Sequence, residues 1–345
     1  MDKGQKEVTI YDIAEKLHIS AATVSRGLTN HPRVSKSTRK SILKAAEEMG
    51  YRSNSIASNL RSKKSNVIGV IVPRLNSSFM SDLIAGVEKV VNNNNYSLFI
   101  SQSLETMQKE VTNARAMLNN RVDGLLVSLA YDTTNIEHFE PFLKRNIPVI
   151  FVDRVFEHAS CPQIFIDNTK AAYEITNHLI AEGCKNIIHL TASLLRNVYA
   201  DRLSGYKKAL EESGLQFRES NVIIGDLSSQ AGIDAAAQIL KMEKLPDAVF
   251  AANDICAVSC MIELQKHGIR IPEDIAFAGF NNDPTACVVQ PNLTTVNYKG
   301  YEMGEVAAQL LINHLIDKSD LQQTHSLILR SELIIRESSL RSKKS

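Results

Sequence analysis

What the chain lacks narrows its chemistry first. Residues 1 to 7 are polar and hold no apolar run, so neither a secretory signal nor a membrane span is expected, and the protein is expected in the cytoplasm. The five cysteines, Cys161, Cys184, Cys256, Cys260 and Cys287, are odd in number and show no paired metal-ligand spacing. Cys256 and Cys260 lie one helical turn apart but have no histidine nearby, so buried free thiols are expected rather than a disulfide framework or a zinc site. There is no Gly-rich phosphate loop with its lysine, no Gly-x-Ser-x-Gly elbow, no His-Glu-x-x-His and no paired Cys-x-x-Cys. An enzyme is therefore not expected, and no cofactor is implied.

The charge that is present is unevenly spread. The formal net charge of the 345 residues is +1, yet the stretch up to Lys64 holds 13 Lys/Arg against 6 Asp/Glu, a balance of +7, and the remainder carries −6. A basic head on an acidic body is the footprint of a chain whose first segment meets a polyanion. With 44% apolar residues, the body can bury a sizeable core.

The head reads as short capped helices. Thr9 precedes Ile10 to Leu17, with Asp12 three positions on and apolar residues at 10, 13, 14 and 17, the spacing of an amphipathic helix behind a cap. His18-Ile19 leaves room for a tight turn only. Ser20 then caps a second helix, Ala21 to Leu28, with Val24 and Leu28 inward and Ser20, Ala21, Ala22, Ser25 and Arg26 around that narrow stripe. Two helices this close read as a helix-turn-helix. Small and basic residues suit a DNA groove: serines can bond phosphate, and Arg26 can fork onto the O6 and N7 of a guanine. A third helix runs from Ser35 through Ile42, Leu43, Ala46 and Met49 to Gly50, where a glycine suits a left-handed cap. Ser55 to Arg61 is too short to hold a helix alone, and Ser62 to Ser65 is a basic, polar linker; such a segment orders on a partner.

From Asn66 the pattern alternates between apolar strands and helices. Val67 to Val72 is a continuous apolar run, as in a strand covered on both faces, and helical spacing follows from Ser81 to Val91. Strands at 97–101, 124–128 and 148–152 alternate with helices at 107–119 and 140–145. A second half repeats the theme, with helices at 170–182, 202–213, 230–241 and 255–267 and strands at 186–190, 222–224, 248–251 and 275–279. Gly304 to Ile316 is a further amphipathic helix. Two doubly wound parallel lobes leave a cleft at the carboxyl ends of their strands, where open sheets bind ligands. The polar residues placed there are Asp153 and Arg154, Arg202 opening its helix, Asn253, Asp254, Asn281 and Asn282; Phe79, in Asn76-Ser77-Ser78-Phe79, could stack on a sugar face or belong to the core. A carboxylate, a guanidinium and amides can hold vicinal hydroxyls from two sides. Asp254 is at least as well suited to capping the helix at Ile255, and Arg154 is equally suited to pairing with a surface acid. His178, His189 and His267 read as structural.

Several segments carry a resemblance to a known family. Val8 to Ala14, Thr23-Val24-Ser25-Arg26, Val34-Ser35, Thr38-Arg39, Gly50-Tyr51 and Asn54 to Leu60 look like the head and hinge of the LacI/GalR family of bacterial transcription regulators. The body resembles the same family, and the wider periplasmic sugar-binding fold, at Val67 to Pro73, Pro148 to Arg154, Ile166 to Asn168, Asp201-Arg202, Gly205-Tyr206, Ala252 to Asp254, Gly279 to Asn282, Pro291 to Val296 and Leu329 to Ser338. The resemblance implies an all-α helix-turn-helix head at residues 1–53, a hinge helix and linker at 54–65, and a two-lobed α/β body, periplasmic-binding-protein-like, at 66–345. The first lobe is expected at about 66–165 plus 296–325 and the second at about 166–295 plus 326–339. It implies a homodimer on double-stranded operator DNA in the nucleoid, contacted by Thr9, Tyr11, Ser20, Ala21, Ala22, Thr23, Ser25, Arg26, Arg33, Ser35 and Thr38, with Asn54, Ala57, Leu60 and Arg61 from the hinge and Leu60 wedged into the minor groove. It implies further that a small sugar or sugar derivative binds between the lobes and controls DNA affinity, with Asp153, Arg202, Asn253 and Asn281 facing it; Phe79, Arg154 and Asp254 complete the expected effector site from their place in the pattern. Two positions depart from the family: Ser53 stands where proline is usual, and Asn281 where aspartate is usual, which removes a charge, adds a donor and points away from the commonest neutral hexoses.

Overall fold

A computed structural model describes residues 8–51, 64–317, 321 and 325–341. The expected hinge residues Asn54, Ala57, Leu60 and Arg61, and Ser53, lie outside the described residues. The chain separates into two compact units, Met1–Ser65 and Asn66–Ser345.

The first unit contains α1 (Ile10–Leu17), α2 (Ala21–Leu28) and α3 (Lys36–Glu48). Each begins where a polar side chain can reach the first turn. The Asp12 carboxylate takes the Thr9 backbone N–H at 2.7 Å and its hydroxyl at 2.6 Å, Ser20 Oγ accepts from the Thr23 N–H at 3.2 Å, and Ser35 Oγ from the Thr38 N–H at 3.1 Å. His18, at φ 52°, makes the turn between α1 and α2, and Gly50, at φ 66°, closes α3. Ile13, Ala14, Val24, Ile42, Ala45 and Ala46 form the core. Leu43, expected inward, is 45% exposed. Ala45 is buried instead, and α2 lies close against α3, where a Cβ on Gly27 would sit 2.4 Å from Ile42 Cδ1.

The second unit runs β1 (Val67–Val72), α4 (Ser78–Asn93), β2 (Ser97–Gln102), α5 (Met107–Asn119), β3 (Gly124–Val127), α6 (Glu140–Leu143), β4 (Val149–Val152) and β5 (Gln163–Ile166). It continues through α7 (Asn168–Ala181), β6 (Ile187–Thr191), α8 (Asn197–Glu212), β7 (Val222–Ile224), α9 (Ser229–Ile239), β8 (Ala248–Ala251), α10 (Asp254–Lys266), β9 (Ala276–Ala278) and α11 (Thr285–Val288). It ends with β10 (Thr295–Asn297), α12 (Gly300–Asp317), β11 (Ser326–Leu329) and β12 (Glu332–Ile334). The first lobe is built on a six-stranded sheet in the order β11-β5-β4-β3-β1-β2 and the second on a four-stranded sheet in the order β7-β6-β8-β9, both parallel, while β10 and β12 pair antiparallel.

Strand β11 is a correction to the expected boundary at residue 325: it pairs with β5 in the first sheet, so that sheet extends to Leu329. The sequence pattern does not announce β5, because its burial alternates over only four residues. Helix α8 starts at Asn197, so Arg202 does not open it but sits one turn and more inside, facing the core. Helix α12 crosses α4 at backbone contact: a Cβ on Gly304 would lie 2.0 Å from the Leu83 carbonyl oxygen, and one on Gly86 2.1 Å from that of Tyr301. Only paired glycines allow that crossing.

Candidate functional sites

On the head, Tyr11 is 71% exposed and Thr9, Ser20, Ala22, Arg26, Arg33 and Ser35 are exposed as well. Ala21, Thr23, Ser25 and Thr38 are half-buried. The caps also organise the surface. Ser20 Oγ and Ser35 Oγ lie 2.9 and 2.8 Å from the hydroxyls of Thr23 and Thr38, which fixes four hydroxyls at the amino ends of α2 and α3. Among the described residues the head shows no ion pair at Arg26 or Arg33, so the guanidiniums are available to an anionic or base-edge acceptor.

In the body, a cavity of about 480 Å³ opens between the lobes at the carboxyl ends of the strands. Phe79, Asp153, Arg154, Arg202, Asn253 and Asn281, expected there from the sequence, all line it. Asp254 does not: it is fully buried beneath the wall, accepting from Thr295 Oγ1 at 2.7 Å and from the Asp283 N–H at 2.7 Å. Nor does Asp254 cap α10. That cap is Asn253, whose Oδ1 accepts from the Cys256 N–H at 3.0 Å while its Nδ2 donates to the Leu227 carbonyl at 2.9 Å.

The polar groups of the cleft are tied to one another. Asp153, at φ 62°, accepts from the Tyr298 hydroxyl at 2.6 Å and from Ser128 Oγ at 3.2 Å. Arg154 pairs with Glu105 at 2.7 Å, donates to Tyr199 Oη at 2.9 Å and lies over the Tyr131 ring, 4.5 Å from its centroid. The acid expected for Arg154 is thus inside the cleft rather than on the surface. Arg202 donates to Asn168 Oδ1 at 2.9 Å and to the Ala252 carbonyl at 2.6 Å, and stacks on Phe280 at 3.5 Å. Phe79 stacks on Tyr298 at 4.2 Å, so its wall position and its core role coexist. Several contacts join the lobes: Arg154 to Tyr199, Tyr131 Oη to Tyr199 Oη at 3.3 Å, Asn197 Nδ2 to the Asp153 carbonyl at 3.1 Å, and Arg74 to Asp226 at 3.8 Å.

Burial also acts on the acids at the far wall. It pushes Asp283 up to about 6 and Asp254 up to about 7, the latter with help from the nearby Asp283 carboxylate. Asp283 lines the cleft, and the Asn281 side chain beside it works against that upward shift. Tyr131, Tyr199, Tyr298, Glu105, Arg74 and Asp283 line the cleft without having been expected there. Tyr199 has a signal in the sequence, since it precedes Arg202 by three positions on one helix face, and Asp283 lies two residues past a strand-end asparagine. The tyrosines at 131 and 298 have none.

Outside the cleft, His189 Nδ1 meets the Phe250 carbonyl at 3.0 Å, His178 meets Ser339 Oγ at 2.7 Å and His267 Nδ1 the Glu263 carbonyl at 3.0 Å, as structural histidines do. Cys161, Cys184, Cys256 and Cys260 are buried free thiols; Cys287, expected buried, is exposed on α11, whose buried residue is Ala286. Among the described residues no helix is long and apolar enough to cross a membrane.

Comparison with known proteins places both units. Residues 9–54 match the bacterial regulatory proteins of the lacI family, and residues 65–337 the periplasmic binding proteins and sugar-binding domain of the LacI family. The chain is 34% identical to catabolite control protein A of Priestia megaterium over 94% of this chain and 98% of that protein. It is 31% identical to the HTH-type transcriptional repressor CytR of Escherichia coli (strain K12), over 97% of each. Its fold is similar to that of the lac repressor dimer bound to operator and the anti-inducer ONPF, with a TM-score of 0.84, 25% identity, and coverage of 97% of this chain and 100% of that one.

Proposed function

The chain belongs to the LacI family of bacterial regulatory proteins, and from that premise we propose a repressor whose operator affinity is set by a small sugar-like effector in the interlobe cleft. That it is a DNA-binding transcriptional regulator follows from the family. The observation that carries the finer reading is the coexistence in one chain of a capped helix-turn-helix with exposed Arg26 and a cleft walled by Asp153, Arg154, Arg202 and Asn281. In this reading α2 enters the major groove of each half-site of a pseudo-palindrome, and two chains bind as a homodimer on the nucleoid in the cytoplasm. Thr9, Tyr11, Ser20, Ser35 and Thr38 position the head on phosphate, while Arg26 reads a base. The first lobe begins one residue after Ser65, so a change in closure alters the strain on the segment that leads to the head.

The test is selection of DNA from a random pool by the full chain, followed by sedimentation of the complex. Inverted half-sites bound by two chains are expected. Recovery of single, unpaired half-sites would sink the dimer reading. The selected operator then reports the effector: a sugar that raises the melting temperature should also change operator affinity.

A further inference from the structure

The cleft wall carries four carboxylates, Glu105, Asp153, Asp226 and Asp283, and the protein answers three of them. Glu105 meets Arg154 at 2.7 Å and Arg74 at 3.4 Å, Asp226 meets Arg74 at 3.8 Å, and Asp153 has the Tyr298 hydroxyl at 2.6 Å with Arg154 Nε at 3.9 Å. Asp283 is different. Among the described residues no lysine, arginine or histidine pairs with it, and the charged groups that face it from packed elements are carboxylates, Asp82 on α4 and Asp254 on α10. The Asn281 side chain is the neighbour that favours its charged form.

This acid is not free to seek a cation elsewhere. Asn281 and Asn282 both have left-handed backbones, at φ 112° and 59°. The N–H groups of Asn281, Asn282 and Asp283 go to the Val296 carbonyl at 3.0 Å, Thr295 Oγ1 at 3.2 Å and Asp254 Oδ2 at 2.7 Å, and Asn282 Oδ1 accepts from Arg336 at 2.7 Å. The turn therefore holds Asp283 on the cleft wall. The cleft arginines that could receive an anion are already engaged, Arg154 with Glu105 and Tyr199, and Arg202 with Asn168 and the Ala252 carbonyl.

We propose that Asp283, held on the wall by the turn from Asn281 to Asn282, selects an effector bearing a protonated amine, so that the cleft takes an amino sugar in preference to a neutral hexose or a sugar phosphate. The proposal rests on the sugar-like effector reading above. An ammonium offers Asp283 charge-assisted hydrogen bonds and offsets a cluster of acids that the protein leaves uncompensated in a partly desolvated site. A hydroxyl leaves that charge unbalanced. A phosphate adds a like charge beside it.

The experiment measures binding to the full chain by calorimetry and thermal shift, using glucose, galactose and mannose, each as the free sugar, the 2-amino-2-deoxy sugar and the 6-phosphate. The amino member of at least one set should bind about ten-fold tighter than its neutral twin. Asp283→Asn should abolish that preference, so that the amino sugar and its neutral twin bind the variant equally. A neutral sugar or phosphate that binds the wild type as well as the amine does, or a preference that survives Asp283→Asn, overturns the proposal while the cleft reading stands. Silence from all nine compounds with the wild type overturns both. Should Asp283→Asn fail to fold, Asp283→Ser carries the test: it too removes the carboxylate and should abolish the amine preference, and a preference that survives it overturns the proposal.

Discussion

Arg26 of the head stands exposed on a helix whose buried side is Val24 and Gly27, whereas Arg202 of the body is 3% exposed and already bonded through Nε and Nη1 to the protein. The two arginines hold the same five donors. In the head they wait for an outside partner, so recognition can change without touching the core. In the cleft the recognising groups are also part of the wall, with Arg154, Tyr199, Tyr131 and Glu105 joining the lobes through their own contacts. An effector must therefore enter a wall whose arginines are already bonded to the protein, and its binding is inseparable from lobe geometry.

The largest test of that contrast is Arg202→Ala. It leaves Asn168 Oδ1 and the Ala252 carbonyl without their donor and the Phe280 face uncovered. Loss of roughly 2–5 kcal/mol of body stability in urea unfolding is expected, about 1–3 for each buried acceptor left unsatisfied, together with loss of effector response. Stability equal to the wild type would mean that the cleft arginine is as independent of the core as the head's. Arg26→Ala is the matched change: no measurable effect on melting, and base discrimination reduced by about 1–3 kcal/mol at one operator position, read by competition between single-base variants. A melting shift of several degrees would erase the distinction.

A smaller effect separates the units by pH. Burial pushes Asp254 up to about 7 and Asp283 to about 6, whereas an unfolded aspartate titrates near 3.9. The folded body holds these protons more tightly than the unfolded chain does, so their contribution is complete below about pH 4 and is lost as pH rises through about 6 to 7. In that window each group lowers body stability by up to roughly 1.4 kcal/mol per pH unit. Asp254→Asn should flatten the profile by about one proton, measured by urea unfolding from pH 4 to 8. An unaltered slope would show that Asp254 is ionised throughout.

Sequence alone determined what is local. The caps at Thr9, Ser20 and Ser35, the left-handed Gly50 and the apolar stripe around Val24 are set within three or four residues of one another, and chain order supplies that proximity. The continuous apolar runs of β1, β3, β4 and β8 likewise announce strands covered on both faces, and the rule that parallel sheets bind ligands at their strand ends brought Asp153, Arg202, Asn253 and Asn281 to one cavity. What only the tertiary structure decided is non-local. Tyr298 reaches Asp153 from 145 residues away, β11 pairs with β5 across the whole second lobe, and Asp283 stays unanswered because the arginines nearest to the cleft are held by acids and carbonyls from other strands. Asp254 shows the boundary between the two. Its position after Asn253 fits a cap or a place on the cleft wall equally well, and it holds neither position: Asn253 is the cap, and Asp254 lies buried beneath the wall, where a Cβ on Gly279 would lie 2.2 Å from its Oδ1. Residue type fixes which bonds a side chain can make; the packing of distant segments fixes which of them are already made.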